Sequence, residues 1–175
     1  MKRALKAFFK DPEPVSDFGD VVSGLNVIDG IARIEEPLLS PVRGQNCVAY
    51  FYQGFAMVQG ARMPTQHKIK QAEVYAPFDL QMDGGTIRVV PVRPGDFTRE
   101  EHKELSEKYG QNLRSTEDVI LPGARVRLKG KVKEVDGGKV LRMKTIAVLD
   151  KQAVAAGVVG DRKTRKAKRR KKKRK

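Results

Sequence analysis

Apolar and polar residues alternate with a period of two over most of this chain, the spacing that sends one side of a β-strand into a core and the other into water. In "LNVIDGIARIEE" two short apolar runs flank Asp29-Gly30, a dipeptide suited to a two-residue turn, and the pattern predicts a hairpin there. "PLLSPVRGQ" reads as a loop set by Pro37, Pro41 and Gly44. "NCVAYFYQGFAMVQGARM" alternates strongly, with Cys47, Ala49 and Phe51 on one side and Val48, Tyr50 and Tyr52 on the other, as in a long strand or a hairpin bent near Gly54. After the polar segment "PTQHKIKQ", read as a loop, "AEVYAPFDLQMDGGTIRVVPV" predicts two strands joined at Asp83-Gly84-Gly85. Three further strands are expected at residues 124–135, 139–143 and 145–149, the first two joined by a turn at Asp136-Gly137-Gly138. Gly130 in mid-strand predicts a bulge or a sharp bend, the device by which a small barrel turns its corner.

The periodicity changes once. "FTREEHKELSEKYG" carries Thr98 as N-cap with Glu101 three residues later, acids in the first turn, Lys108 near the end and Gly110 as terminator. Its few apolar positions, Leu105 and Tyr109, predict a helix over about 98–109 that lies on the surface with one narrow face down. Residues 1–10 can form a turn or two of amphipathic helix, stopped by "DPEP". "KQAVAAGVVG" reads as a short helix or linker. The expected fold is therefore mainly β, a small antiparallel barrel or sandwich of the OB-like kind with one inserted surface helix. Its divisions are an N-terminal arm at 1–20, a β-domain at 21–150, a linker at 151–160 and a basic tail at 161–175.

Charge alters that picture at one end. The chain has 36 Lys and Arg against 21 Asp and Glu, for a net +15. Residues 161–175, "DRKTRKAKRRKKKRK", hold twelve of the bases and one acid, so the tail accounts for +11 of that total. Ala167 is its only apolar residue, too little to offset the entropy of ordering, and the segment is expected to be disordered when alone. A single cysteine, Cys47, excludes an internal disulfide, and with only His67 and His102 no structural zinc set or other cofactor is expected. No apolar run approaches the roughly 18 residues of a membrane span. Lys6 and Lys10 interrupt the N-terminus too soon for a signal peptide. A soluble, cytoplasmic protein is the expectation.

The string "VIDGIARIEEPLLSPVRGQNCVAYFYQ" resembles the opening of the GIDE domain, also called the beside-a-membrane domain, through Gly30, the Ser40-Pro41 pair, Gly44 and Cys47-Val48 leading to Tyr50 and Tyr52. "APFDLQMDGGTIRVVP" and "LPGARVRLKGKVKEVDGGKVL" are similar to the family's later stretches, so the resemblance covers roughly residues 21–150 in order. It implies a β-domain and does not say what that domain binds; an unidentified protein partner is the expectation for it. In the family's mitochondrial ubiquitin ligases it would also imply transmembrane helices and a RING, neither of which this sequence carries, so ubiquitin transfer is not implied.

Catalytic chemistry finds little support. Cys47 sits on an alternating strand as a small buried hydrophobe would, although a dyad with a histidine is conceivable; His67 falls in the polar segment and His102 in the helix. Gly84-Gly85 and Gly137-Gly138 follow Asp and lack the Lys-Ser/Thr of a phosphate loop. A non-catalytic binding protein is expected. Its clearest site is the tail, Arg162, Lys163, Arg165, Lys166, Lys168, Arg169, Arg170, Lys171, Lys172, Lys173, Arg174 and Lys175, which would hold RNA or DNA without reading sequence. An anionic membrane surface is the competing partner. A second candidate is the alternating set Arg125, Arg127, Lys129, Lys131 and Lys133, five bases on one face of a strand, with Lys139 and Arg142 further on. A solvated strand face often carries such bases too.

Overall fold

Period-two burial is visible strand by strand in the computed structural model, which describes residues 12–60, 63–150 and 154–159. The helical turns expected at 1–10 and the basic tail at 161–175 lie outside the described residues. The elements in chain order are β1 (Pro14–Val15), β2 (Gly24–Arg33), β3 (Leu38–Leu39), β4 (Asn46–Cys47), β5 (Ala49–Val58), β6 (Thr65–Tyr75), β7 (Phe78–Met82), β8 (Gly85–Pro91), α1 (Arg99–Tyr109), β9 (Leu113–Ile120), β10 (Arg125–Val135), β11 (Gly138–Val148) and β12 (Val154–Val159).

Five of these close a barrel. β2 pairs with β10, β10 with β11, β11 with β8, β8 with β7, and β7 returns to β2; all pairs are antiparallel except β11 with β8. Closure removes the free edges an open sheet would expose, and the arrangement is OB-like. Inward positions fill the interior with Ile28, Phe78, Leu80, Ile87, Leu128 and Leu141, each 0% exposed. At about 1.5–3 kcal/mol for each large aliphatic or aromatic side chain, this burial is the main driving force for closure.

A second, four-stranded sheet runs β12-β9-β5-β6 and is assembled from two insertions and the C-terminal strand. The segment between β2 and β7 supplies β5 and β6, and the segment between β8 and β10 supplies α1 and β9. Tyr50, Tyr52, Val74, Phe97 and Val119 form its core, with Leu105 of α1 packed against them. The helix matches its expected capping: Thr98 Oγ1 accepts from Glu101 N while Glu101 accepts from Thr98 N, and Gly110 is the C-cap.

Several expectations are corrected. Asp29-Gly30 is not a turn but the middle of β2. A Cβ on Gly30 would stand 2.7 Å from both the Gln81 carbonyl oxygen and Leu80 Cγ, so glycine is there to let β2 approach β7 where the barrel closes. "PTQHKIKQ" is not a loop; it belongs to β6, a polar edge strand along β5. Cys47 shares the second core with Tyr50 and Tyr52 instead of facing away from them, because Val48 separates β4 from β5 and breaks the alternation. Residues 154–159, read as helix or linker, form a strand against β9.

The strands expected at 139–143 and 145–149 are one, β11. Its register against β10 steps from Lys129↔Thr145 to Gly130↔Met143, so Lys144 is an extra residue in a bulge opposite Gly130. The irregularity foreseen at Gly130 therefore lies on its neighbour, and a side chain at 130 would run into the Arg142 carbonyl. The same hairpin turns at Asp136-Gly137, both with positive φ (50° and 79°), as a two-residue type I′ loop requires.

Candidate polyanion-binding surface

β10 presents the alternation expected of it. Val126, Leu128, Gly130 and Val132 are buried, while Arg125, Arg127, Lys129, Lys131 and Lys133 occupy the outer positions. These five are not equivalent. Arg127 is opposite Asp29 on β2 and holds it by two bonds of 2.7 Å, Nε to Oδ1 and Nη2 to Oδ2, so its charge is spent on the barrel itself. Arg125 lines a small groove with Asp29 and Asp83.

Lys131 and Lys133 are exposed and make no ion pair within the described residues. Arg142 stands directly opposite Lys131 on β11, and Lys144 follows at the bulge; both are exposed and likewise without an acidic partner among the described residues. Of the other bases in this region, Lys139 turns inward. Its Nζ donates to the Phe18 and Val21 carbonyls and sits 4.4 Å from the centroid of the Phe18 ring, fastening the arm to the barrel. Arg88 on β8 is paired with Asp79 at 3.1 Å. The effective basic surface is thus Lys131, Lys133, Arg142 and Lys144, of which Lys144 alone was absent from the bases read from the sequence.

A cleft of about 490 Å³ opens beside that bulge, lined by Glu73, Tyr75, Val92, Arg93, Met143 and Lys144 among others. Tyr75 is packed edge-on against Phe51 (5.7 Å between centroids, 83° between planes), and its hydroxyl donates to Glu73 Oε2 at 3.1 Å. Burial, then that hydrogen bond and the nearby negative charge, push its phenol up to about 12, so it remains a donor at neutral pH.

The second core holds Cys47 and lies beside a buried acid. Glu117 is fully buried on β9; Oε1 accepts from Val42 N at 2.9 Å, and Oε2 from Ser40 Oγ at 3.1 Å and Arg43 N at 3.3 Å. Ser40 Oγ also accepts from Gln45 N, closing the 40–45 turn. The 40–45 turn therefore folds onto one buried carboxylate through Ser40 and the Val42 and Arg43 amides, a contact between distant segments that pattern reading missed. Cys47 Sγ donates to Leu38 O, and burial together with Glu117 pushes the thiol up to about 12, far from a nucleophilic thiolate.

His102 Nδ1 lies 3.1 Å from the Tyr52 hydroxyl, and burial lowers its pKa, favouring the neutral ring. His67 is exposed on β6 beside Thr65. Among the described residues no three His, Cys, Asp or Glu side chains are grouped to hold a metal, and no helix is long and apolar enough to cross a membrane. The twelve bases from Arg162 to Lys175 lie outside the described residues; β12, the last described strand, ends with Val159 opposite Ser115 on the second sheet. Comparison with protein families, with curated proteins and with solved structures finds no match to this chain.

Proposed function

We propose that this chain is a non-catalytic nucleic-acid-binding protein, in which the β10–β11 face of the barrel carries a phosphate backbone and residues 161–175 add affinity that is blind to sequence. The observation that carries this reading is the group of four exposed bases, Lys131, Lys133, Arg142 and Lys144, on neighbouring strands with no acid paired to them among the described residues. A backbone of regularly spaced phosphates is the polyanion such a row fits, and release of its counterions supplies the affinity. The GIDE-like reading of the β-domain rests on the sequence resemblance, and the bonds from Ser40 and the Val42 and Arg43 amides to Glu117 give that stretch a structural role.

A second reading has its own observation. Leu25, Val90 and Val135 are 44%, 37% and 49% exposed among the same bases, the mixture with which a protein rests on an anionic lipid surface. Salt titrations of the full chain and of a form ending at residue 160 against single-stranded RNA, duplex DNA and vesicles with and without anionic lipid separate the two. Nucleic-acid binding by both forms, weakened by Lys131→Glu with Lys133→Glu, is the expected result. Retention on anionic vesicles with no binding to either nucleic acid would replace it with the membrane reading.

A further inference from the structure

We propose that the cleft beside the β11 bulge receives one unpaired base of a single-stranded nucleic acid, with the adjoining phosphates held at its rim by Lys144 and Arg93. This rests on the nucleic-acid reading above and adds a preference for single strands.

The bulge is the first observation. An ordinary strand residue at 144 would have a partner on β10, but the register steps past it, and a bulge re-aims the extra side chain out of the ladder. Lys144 consequently borders the cleft, two residues along β11 from Arg142, which faces Lys131. A chain of phosphates on the β10–β11 face therefore arrives at the cleft mouth through Arg142 and Lys144.

The lining is the second. Pro91, Val92 and Met143 make an apolar wall, Tyr75 adds an aromatic ring fixed against Phe51, and Glu73 offers a carboxylate. Arg93 is exposed and, like Lys144, has no acidic partner among the described residues. With Glu73 inside, an anion deep in the cleft is repelled, so a neutral heterocycle goes in and its charged phosphates remain outside on the two bases. The carboxylate can accept from the amino or imino hydrogens of a base, groups that duplex pairing would occupy. The walls are held by Tyr75 N donating to Pro94 O at 2.7 Å and Val92 N to Met143 O at 3.0 Å, so the cleft is formed before anything enters. Its volume, about 490 Å³, lies in the range that accommodates small planar ligands.

The test uses the full chain with a single-stranded DNA 12-mer carrying one central 2-aminopurine, and the duplex made from it. Single-strand binding should change the 2-aminopurine fluorescence, and duplex binding should leave it unchanged. Lys144→Gln combined with Arg93→Gln should weaken single-strand binding about tenfold at fixed salt and duplex binding, which uses Lys144 but not Arg93, by less. Tyr75→Leu should abolish the fluorescence change without altering the salt slope, and Tyr75→Phe, which keeps the ring and its packing, should retain it. Equal weakening of single strand and duplex, or an unchanged fluorescence response in Tyr75→Leu, would overturn the cleft proposal and leave the basic face standing. Binding of neither nucleic acid by the unmodified chain would overturn the parent reading and this one together.

Discussion

Glu117 organises more of the described residues than any other single polar side chain among them, because its two oxygens satisfy three donors of a loop that is remote in sequence. Glu117→Ala would leave Ser40 Oγ–H and the Val42 and Arg43 amides without that partner. Ser40 is buried and the two amides partly so, and at about 1–3 kcal/mol for a buried donor left unsatisfied denaturant unfolding should show a loss of that order. Gly30 makes the complementary point for steric contact. A methyl group there meets a backbone carbonyl that cannot move without opening the β2–β7 seam, so Gly30→Ala should cost about 1–3 kcal/mol. A glycine in a mobile turn would tolerate the same change, and the unfolding midpoint separates the two cases.

The helix shows how an element can be specified locally and placed globally. Its capping box is complete within four residues, and Thr98→Ala should lower stability by about 1 kcal/mol, measured by thermal unfolding. Its seat on the second sheet depends on His102 meeting Tyr52. The folded state holds His102 below its ordinary value of 6.5, chiefly through burial, with Arg99 adding to the effect and Glu117 opposing it. The unfolded chain therefore binds the proton first as pH falls through about 6.5, and the contribution of a neutral His102, complete above that pH, is lost below it. Stability measured across this window should fall more steeply for the unmodified protein than for His102→Gln, and equal slopes would show that the ring does not titrate with folding.

For the whole molecule, charge and fold are separable. Neutralising Lys131 and Arg142 with glutamine should leave unfolding nearly unchanged, since neither is ion-paired among the described residues, while lowering the salt dependence of nucleic-acid binding by about 2 in slope. Arg127→Gln should do the reverse. It breaks a bidentate cross-strand pair and leaves Asp29 without that partner, so the unfolding midpoint should fall, with a smaller effect on slope than loss of Lys131 or Arg142.

Local information determined what local physics controls: the β-class from period-two burial, the single capped helix, the turns at Asp83-Gly84 and Asp136-Gly137, and the outward row on β10. The bulge at Lys144 was also written in the sequence, in the shift of apolar parity from Leu141 and Met143 to Ile146 and Val148, but that shift equally suits a strand end. Only the tertiary structure decided between them, because β11 remains hydrogen-bonded to β10 on both sides of the step. It likewise decided that Asp29-Gly30 is a closure point, that Arg127 and Lys139 are engaged within the fold, and that Arg142 and Lys144 complete the basic face. Each of these is set by which strand lies alongside, and a chain's own pattern specifies which side of a strand is buried without specifying its neighbour.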